Sequence, residues 1–140
     1  MIRASRTAQP LVIAFIDIDG LKSVNDGPGG HAAGDRLITE VAATLVAGLR
    51  PYDLVIRYGG DEFLCVLPGL TAADATRRFD LIRTSLAAAT EGGSVSVGIA
   101  TLAEHDLLDA LVARADAALY QGREQRRSAA AQRDGAADGG

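Results

Sequence analysis

Two short acidic clusters carry most of the chemistry in this chain. The first is Arg57-Tyr58-Gly59-Gly60-Asp61-Glu62-Phe63. Apolar runs flank it, Leu54-Val55-Ile56 before and Phe63-Leu64-Cys65-Val66-Leu67 after, so the segment reads as a β-hairpin. A tight turn there predicts left-handed φ angles at Gly59 and Gly60. Asp61 and Glu62 are adjacent carboxylates and repel each other. A solvated acidic turn is one explanation. The other is a divalent cation that offsets the repulsion, with the glycines letting a phosphate-bearing ligand approach the backbone. The second cluster ends a continuous apolar run, Leu11-Val12-Ile13-Ala14-Phe15-Ile16, which reads as a strand buried on both faces. Asp17-Ile18-Asp19-Gly20 follows it, with residues 17 and 19 on one side of the strand. Asp17 beside Asp61 and Glu62 would supply the oxygen ligands that Mg²⁺ takes, phosphates and water completing the shell. Either cluster alone fits a chain simply leaving its core for a polar loop. Two in one short chain favour a metal site.

These clusters need elements to hold them. Strands fit residues 11–18, 52–58, 62–67 and 94–100. Helical periodicity runs over 35–49 through Leu37, Val41, Leu45 and Leu49. It recurs over 72–89 through Ala75, Phe79, Ile82 and Leu86, with Thr71 as N-cap, and over 105–122 through Leu108, Leu111, Ala115 and Leu119. Strand, helix, hairpin, helix, strand, helix is the order of an α/β or α+β fold with one sheet. Residues 124–140 show no periodicity and read as a disordered tail.

Composition narrows the function. A chain of 140 residues with 48% apolar content supports one core. A net charge of −4 argues against general nucleic-acid binding, which needs a basic surface. No apolar run approaches a membrane span, and the first ten residues lack the apolar core of a signal peptide, so the expected setting is the cytoplasm. The single cysteine, Cys65, reads as a buried small hydrophobe, not a nucleophile. The Gly-x-x-x-x-Gly-Lys-[Ser/Thr] loop of general nucleoside triphosphatases is absent.

Asp17-Ile18-Asp19-Gly20-Leu21-Lys22-Ser23-Val24-Asn25-Asp26, then His31 and Gly34-Asp35, then Gly59-Gly60-Asp61-Glu62-Phe63 resemble the GGDEF family of diguanylate cyclases. The likeness continues through Ser96-Val97-Gly98-Ile99-Ala100 and Ala115-Asp116-Ala117-Ala118-Leu119-Tyr120, and covers residues 11–127, with 128–140 left as tail. The resemblance implies a polymerase-palm or nucleotide-cyclase-like sheet with flanking helices and a catalytic β-hairpin. It implies condensation of two GTP molecules to cyclic di-GMP, with a 3′-hydroxyl attacking an α-phosphate and pyrophosphate leaving. Two chains would face each other as a homodimer, with Mg²⁺ or Mn²⁺ as cofactor.

By resemblance Asp17, the Ile18 carbonyl, Asp61 and Glu62 hold the metal. Asp61 is the principal catalytic position, with Glu62 beside it. Asp61 or a metal-bound hydroxide takes the 3′-hydroxyl proton, and the sequence leaves both open. Asn25 and Asp35 occupy the guanine-binding positions; the residues alone favour Asp35 as an N-cap on a helix beginning there. Leu21 and Lys22 lie on a turn whose amides face phosphate, and Gly59 and Gly60 leave room for it. Arg123 and Arg127 keep positive charge at two phosphate-contacting positions. Arg50 and Asp53 match the family's Arg-x-x-Asp inhibitory product site; an ordinary helix-end ion pair is the plainer reading of those residues. Gly27-Pro28-Gly29-Gly30-His31 is one residue longer than the usual connection. The usual segment before the first strand and the usual strand after the last helix find no match, which leaves a non-catalytic receptor of GTP or cyclic di-GMP as the alternative and suggests a partner over an exposed surface.

Overall fold

The computed structural model describes residues 10–90, 93–103 and 106–138, with side chains to Gln125. Four strands, β1 (Leu11–Ile18), β2 (Leu54–Arg57), β3 (Glu62–Pro68) and β4 (Val95–Thr101), form one sheet in the order β2-β3-β1-β4. Every pairing is antiparallel. The helices are α1 (Leu21–Asp26), α2 (Gly30–Gly48), α3 (Ala72–Ala89) and α4 (Leu108–Asp138). The fold is therefore α+β, a four-stranded antiparallel sheet with flanking helices.

Alternation along β1 builds two cores. Val12, Ala14, Ile16 and Ile18 turn to α2 and α3, where Val41, Leu45, Phe79, Ile82 and Leu86 meet them. Ile13 and Phe15 turn to the other face, where Leu111, Ala115 and Leu119 of α4 cover them. A central strand buried on both sides carries an unbroken apolar run, as the sequence shows. The predicted N-cap of α3 is present as a reciprocal pair: Asp74 N–H donates to Thr71 Oγ1 at 3.2 Å, and Thr71 N–H donates to the Asp74 carboxylate.

Four expectations change. Gly59 and Gly60 do not take left-handed φ; among the described glycines only Gly20, Gly30 and Gly69 do. The hairpin closes over four residues, with Tyr58 N–H donating to the Glu62 carbonyl at 2.9 Å, and a connection of that length does not need a two-residue primed turn. The first long helix begins at Gly30, not at 35, because Gly29 and the left-handed Gly30 turn the chain early. A short helix, α1, stands where a turn was expected. The last helix continues to Asp138, through the stretch expected to be a disordered tail, because Ala, Gln, Arg and Glu favour helix without an apolar stripe. α4 lies over β4 and β1, and leaves Leu54, Ile56 and Tyr58 exposed at the other edge.

Candidate active site

The apolar α4 face of the sheet ends in a polar row. Asp17 of β1 pairs with Glu62 of β3 on one side and with Ser96 of β4 on the other. Ile16, Ile18, Phe63, Val95 and Val97 all face α2 and α3, so alternation turns Asp17, Glu62 and Ser96 together toward α4. Asp61 enters next to them, because its carbonyl accepts the Ile18 amide at 2.9 Å. The helix reaches this row because of Gly98: a Cβ there would collide with the Ala115 carbonyl and the Leu119 amide, so only glycine lets α4 lie this close to β4. One turn further on, Arg123 bends into the row.

Arg123 Nη1 donates to Asp17 Oδ2 at 3.0 Å and Nη2 to Asp19 Oδ1 at 3.1 Å. Its Nε donates to Ser96 Oγ at 3.3 Å. Asp19 also accepts from Ser94 Oγ at 2.8 Å and from Ser96 Oγ at 2.6 Å, while its amide donates to the Ser94 carbonyl at 3.0 Å. Asp17 is held differently. Its Oδ1 is buried and has no hydrogen-bond partner in the structure. Its carboxyl is raised from 3.8 to about 6: burial pushes it up most, Arg123 pulls it down, and the charge of Asp61 and a proton shared with that carboxyl push it up again. Glu62 is raised too, first by burial and then by the charges of Asp61 and Asp116.

Two carboxylates within hydrogen-bonding reach, one with an orphan oxygen and a raised pKa, are short of positive charge. That donor set fits a divalent cation. Among the described residues no group of three or more acidic, histidine or cysteine side chains is gathered as a ready-made cage. Mg²⁺ needs none, since it takes one or two carboxylates and draws the rest of its shell from phosphate and water.

The structure sets Asn25 against the turn of α2 that carries Asp35. Gly34 is buried, and a Cβ on it would collide with Asn25 Oδ1, so the Asn25 amide lies directly against the residue before Asp35. The longer glycine connection does not separate them. It is folded into turns, with Gly27 N–H donating to the Val24 carbonyl at 3.2 Å and Gly30 N–H to the Gly27 carbonyl at 3.0 Å. Asp35 is six residues into α2 and exposed, so it is not an N-cap. With Arg36, Thr39 and Glu40 it lines an open cleft of about 330 Å³. Gly20 opens α1 with a left-handed φ of 70°, Leu21 is half-buried and Lys22 exposed. A Cβ on Gly60 would meet nothing within 4 Å, so the hairpin surface is open. Arg127 lies outside the described side chains.

Arg50 and Asp53 stand apart from this group. Arg50 Nε donates to Asp53 Oδ2 at 3.0 Å and Nη2 to Oδ1 at 2.7 Å; Nη2 also donates to the Pro68 carbonyl at 2.6 Å. The guanidinium carbon sits 4.5 Å from the centre of the Tyr52 ring. Cys65 is buried and its thiol is pushed up to about 12, which leaves no nucleophile there.

Asp19, Ser94 and Ser96 are the residues that sequence reasoning did not single out as site residues. Asp19 was visible as the second carboxylate of Asp17-Ile18-Asp19. Ser96 opened a segment that resembled the family, but neither serine announced a role, because that role comes from strand register.

The chain spans about 30% of the length of the curated relatives it matches. It is 36% identical over 137 residues to the response regulator PleD of Caulobacter vibrioides, covering 91% of this chain and 30% of that protein. It is 41% identical over 133 residues to the diguanylate cyclase TpbB of Pseudomonas aeruginosa, covering 89% and 30%. Its fold is similar to the GGDEF domain of DgcB from Caulobacter crescentus, solved in complex with c-di-GMP, with a TM-score of 0.80, 29% identity and coverage of 87% and 77%. None of the described helices is long and apolar enough to cross a membrane. The diguanylate cyclase GGDEF domain family matches residues 1–129, and the chain belongs to that family.

Proposed function

We propose that this domain condenses two GTP molecules to cyclic di-GMP and two pyrophosphates, working as a homodimer in which each chain presents one nucleotide to the other. The observation that carries the reading is Asp17 Oδ1, buried without a partner beside Asp61. An unpaired buried carboxylate oxygen costs stability unless a cation arrives to meet it. Asp17 and Asp61 would hold Mg²⁺ or Mn²⁺, with the Ile18 carbonyl and Glu62 adjoining. Such an ion supplies charge neutralisation for the attacking and leaving oxygens of phosphoryl transfer. Asp61 accepts the proton of the 3′-hydroxyl as it attacks. Asn25 and Asp35 bind the guanine edge, the carboxylate accepting from N1–H and N2–H₂. The amides of the turn after β1, with Leu21 and Lys22, take phosphate, while Gly59 and Gly60 admit it to the hairpin backbone. Arg123 and Arg127 add positive charge around the phosphates. The GTP supply places the reaction in the cytoplasm.

Arg50 and Asp53 are assigned to a product site outside the catalytic row. Among the described residues Arg50 Nη1 has no recorded partner, and that edge would meet cyclic di-GMP. One observation favours a receptor over an enzyme: Arg123 already neutralises part of the acidic row.

The deciding experiment is turnover of GTP with Mg²⁺ by wild type and Asp61→Asn, read as dinucleotide formed. The amide keeps the volume and loses the charge, so product falls at least about a hundredfold while the melting curve is retained. Near-native turnover in Asp61→Asn removes Asp61 from the catalytic centre. Nucleotide binding with no turnover in wild type makes the domain a receptor.

A further inference from the structure

If the row is a nucleotidyl-transfer site, a cation already stands in it. It is a side chain, and its two ends are held unequally. On the Asp19 side, Nη2 meets a carboxylate buttressed by Ser94 and Ser96, and Nε rests on the same Ser96, which is fully buried. On the Asp17 side there is a contact from Nη1 alone, to a carboxylate whose other oxygen is orphaned. A guanidinium does not lose its proton in a protein, so its charge stays wherever it goes. It must therefore oppose a divalent cation approaching Asp17, or be met by an anion arriving with that cation.

We propose that Arg123 is a resident counter-cation, anchored on Asp19 and Ser96, that occupies Asp17 until a divalent cation bound to a nucleoside triphosphate takes that carboxylate over and the released Nη1 edge turns to a phosphate. The unequal hold decides which contact breaks: the Asp17 end lets go and the Asp19 end acts as the hinge. The bare ion is opposed by the arginine, while the ion–nucleotide complex brings the negative charge that accepts it. Asp19 and Ser96 are then positioning residues that act through Arg123, and the site discriminates loaded nucleotide from free metal.

The test uses the full chain and Mn²⁺ as probe, with free Mn²⁺ read by electron paramagnetic resonance, alone and with a non-hydrolysable GTP analogue. Arg123→Gln binds Mn²⁺ alone about tenfold tighter than wild type, because a fixed positive charge and competitor is gone, and binds the Mn²⁺–analogue complex about tenfold more weakly. Ser96→Ala changes no charge; it leaves Mn²⁺ alone within about twofold and weakens the complex several-fold, since the hinge is loosened. Arg123→Lys keeps the charge and holds Mn²⁺ alone within about twofold of wild type. In wild type, the Arg123 guanidinium resonances stay fixed on titration with diamagnetic Mg²⁺ alone and shift with Mg²⁺ and the GTP analogue together, a readout that does not depend on Arg123→Gln folding. If Asp17→Asn loses the Mn²⁺–analogue complex while Arg123→Gln gains no affinity for Mn²⁺ alone, or if the Arg123 resonances ignore Mg²⁺ with the analogue, the counter-cation is overturned and the metal site stands. If wild type and Asp17→Asn bind the Mn²⁺–analogue complex alike, the metal site and the counter-cation fall together.

Discussion

Among the arginines that clamp carboxylates in this domain, Arg50 and Arg123 stand at opposite ends of the strand system and do it in opposite styles. Arg50 grips a single aspartate by both oxygens, takes the Pro68 carbonyl as well and lies against Tyr52. Asp53 also accepts the Arg50 backbone amide at 2.8 Å, and its side chain is 1% exposed. Its hydrogen bonds draw the Arg50 pKa up. Arg123 spreads one guanidinium over two aspartates, is itself 26% exposed, and leaves an Asp17 oxygen orphaned. In the first clamp both oxygens of the carboxylate are met, and in the second one is in deficit. Saturation holds the end of α2 to the start of β2 and the end of β3. Deficit leaves a site that gains by binding something, and a carboxyl that burial still holds well above its usual range despite the arginine beside it.

The largest loss of stability is expected at Arg50. Arg50→Ala strands a buried carboxylate and should cost about 3–5 kcal/mol in a urea denaturation series, whereas loss of a merely exposed pair costs under about 1 kcal/mol. A small effect would put Arg50 in the same class as Arg123. At a temperature where the variant stays folded, its initial rate should match wild type while inhibition by cyclic di-GMP weakens about tenfold or more, from one lost charge-assisted contact. Inhibition undiminished in the variant would move the product to the GTP site.

The opposite sign is expected at Asp17. Its folded pKa, about 6, lies above the ordinary 3.8, so the folded state binds the proton more readily than the unfolded chain. The associated stability is fully present below about pH 4 and is lost as pH rises through about 6. Asp17→Asn should therefore stabilise the fold at pH 7 by about 2–3 kcal/mol and change little at pH 4. Mg²⁺ added together with a non-hydrolysable GTP analogue should raise the melting temperature of wild type at pH 7 by more than that of the variant. Destabilisation by Asp17→Asn at pH 7 would show that the Arg123 clamp is saturated after all.

Asp35 sharpens the contrast from a third position. Among the described residues its carboxylate has no recorded partner, and it caps nothing. Asp35→Ser should leave the denaturation midpoint within about 0.5 kcal/mol and weaken discrimination of GTP from ATP by about 1–3 kcal/mol in a competition assay. Unchanged GTP preference would remove Asp35 from guanine recognition.

Much of this was legible in the residues because it is local. The unbroken run to Ile16 announced a strand buried on both faces, and Phe79, Ile82 and Leu86 announced the buried stripe of α3. The acidic pair at the hairpin and Asp17 at the strand end could be joined because each stands next to a recognisable element. What escaped was set by register or by close approach. No spacing places Ser96 opposite Asp17, or drops Arg123 onto residues more than a hundred positions earlier. Asp35 looked like a helix cap because its helix begins five residues sooner, at glycines that a periodicity argument reads as loop. The glycines of the hairpin pointed to a tighter turn than the one formed. The tail misled because apolar periodicity detects only helices that bury a face, and the end of α4 is carried by backbone propensity.

The contact at Gly98 has a mechanical side. α4 meets the sheet there without an intervening side chain, so a tilt of the helix would take that point as its fulcrum. Arg123 is four residues beyond Leu119, about 6 Å along the axis, and Asp138 is nineteen residues beyond it, about 28 Å. A tilt about the fulcrum therefore reaches the arginine reduced about fivefold from what it is at the far end of the helix. Five ångströms of travel there become about one at the guanidinium, enough to open a hydrogen bond to Asp17 and too little to unseat the helix. The missing methyl group of one glycine sets that ratio.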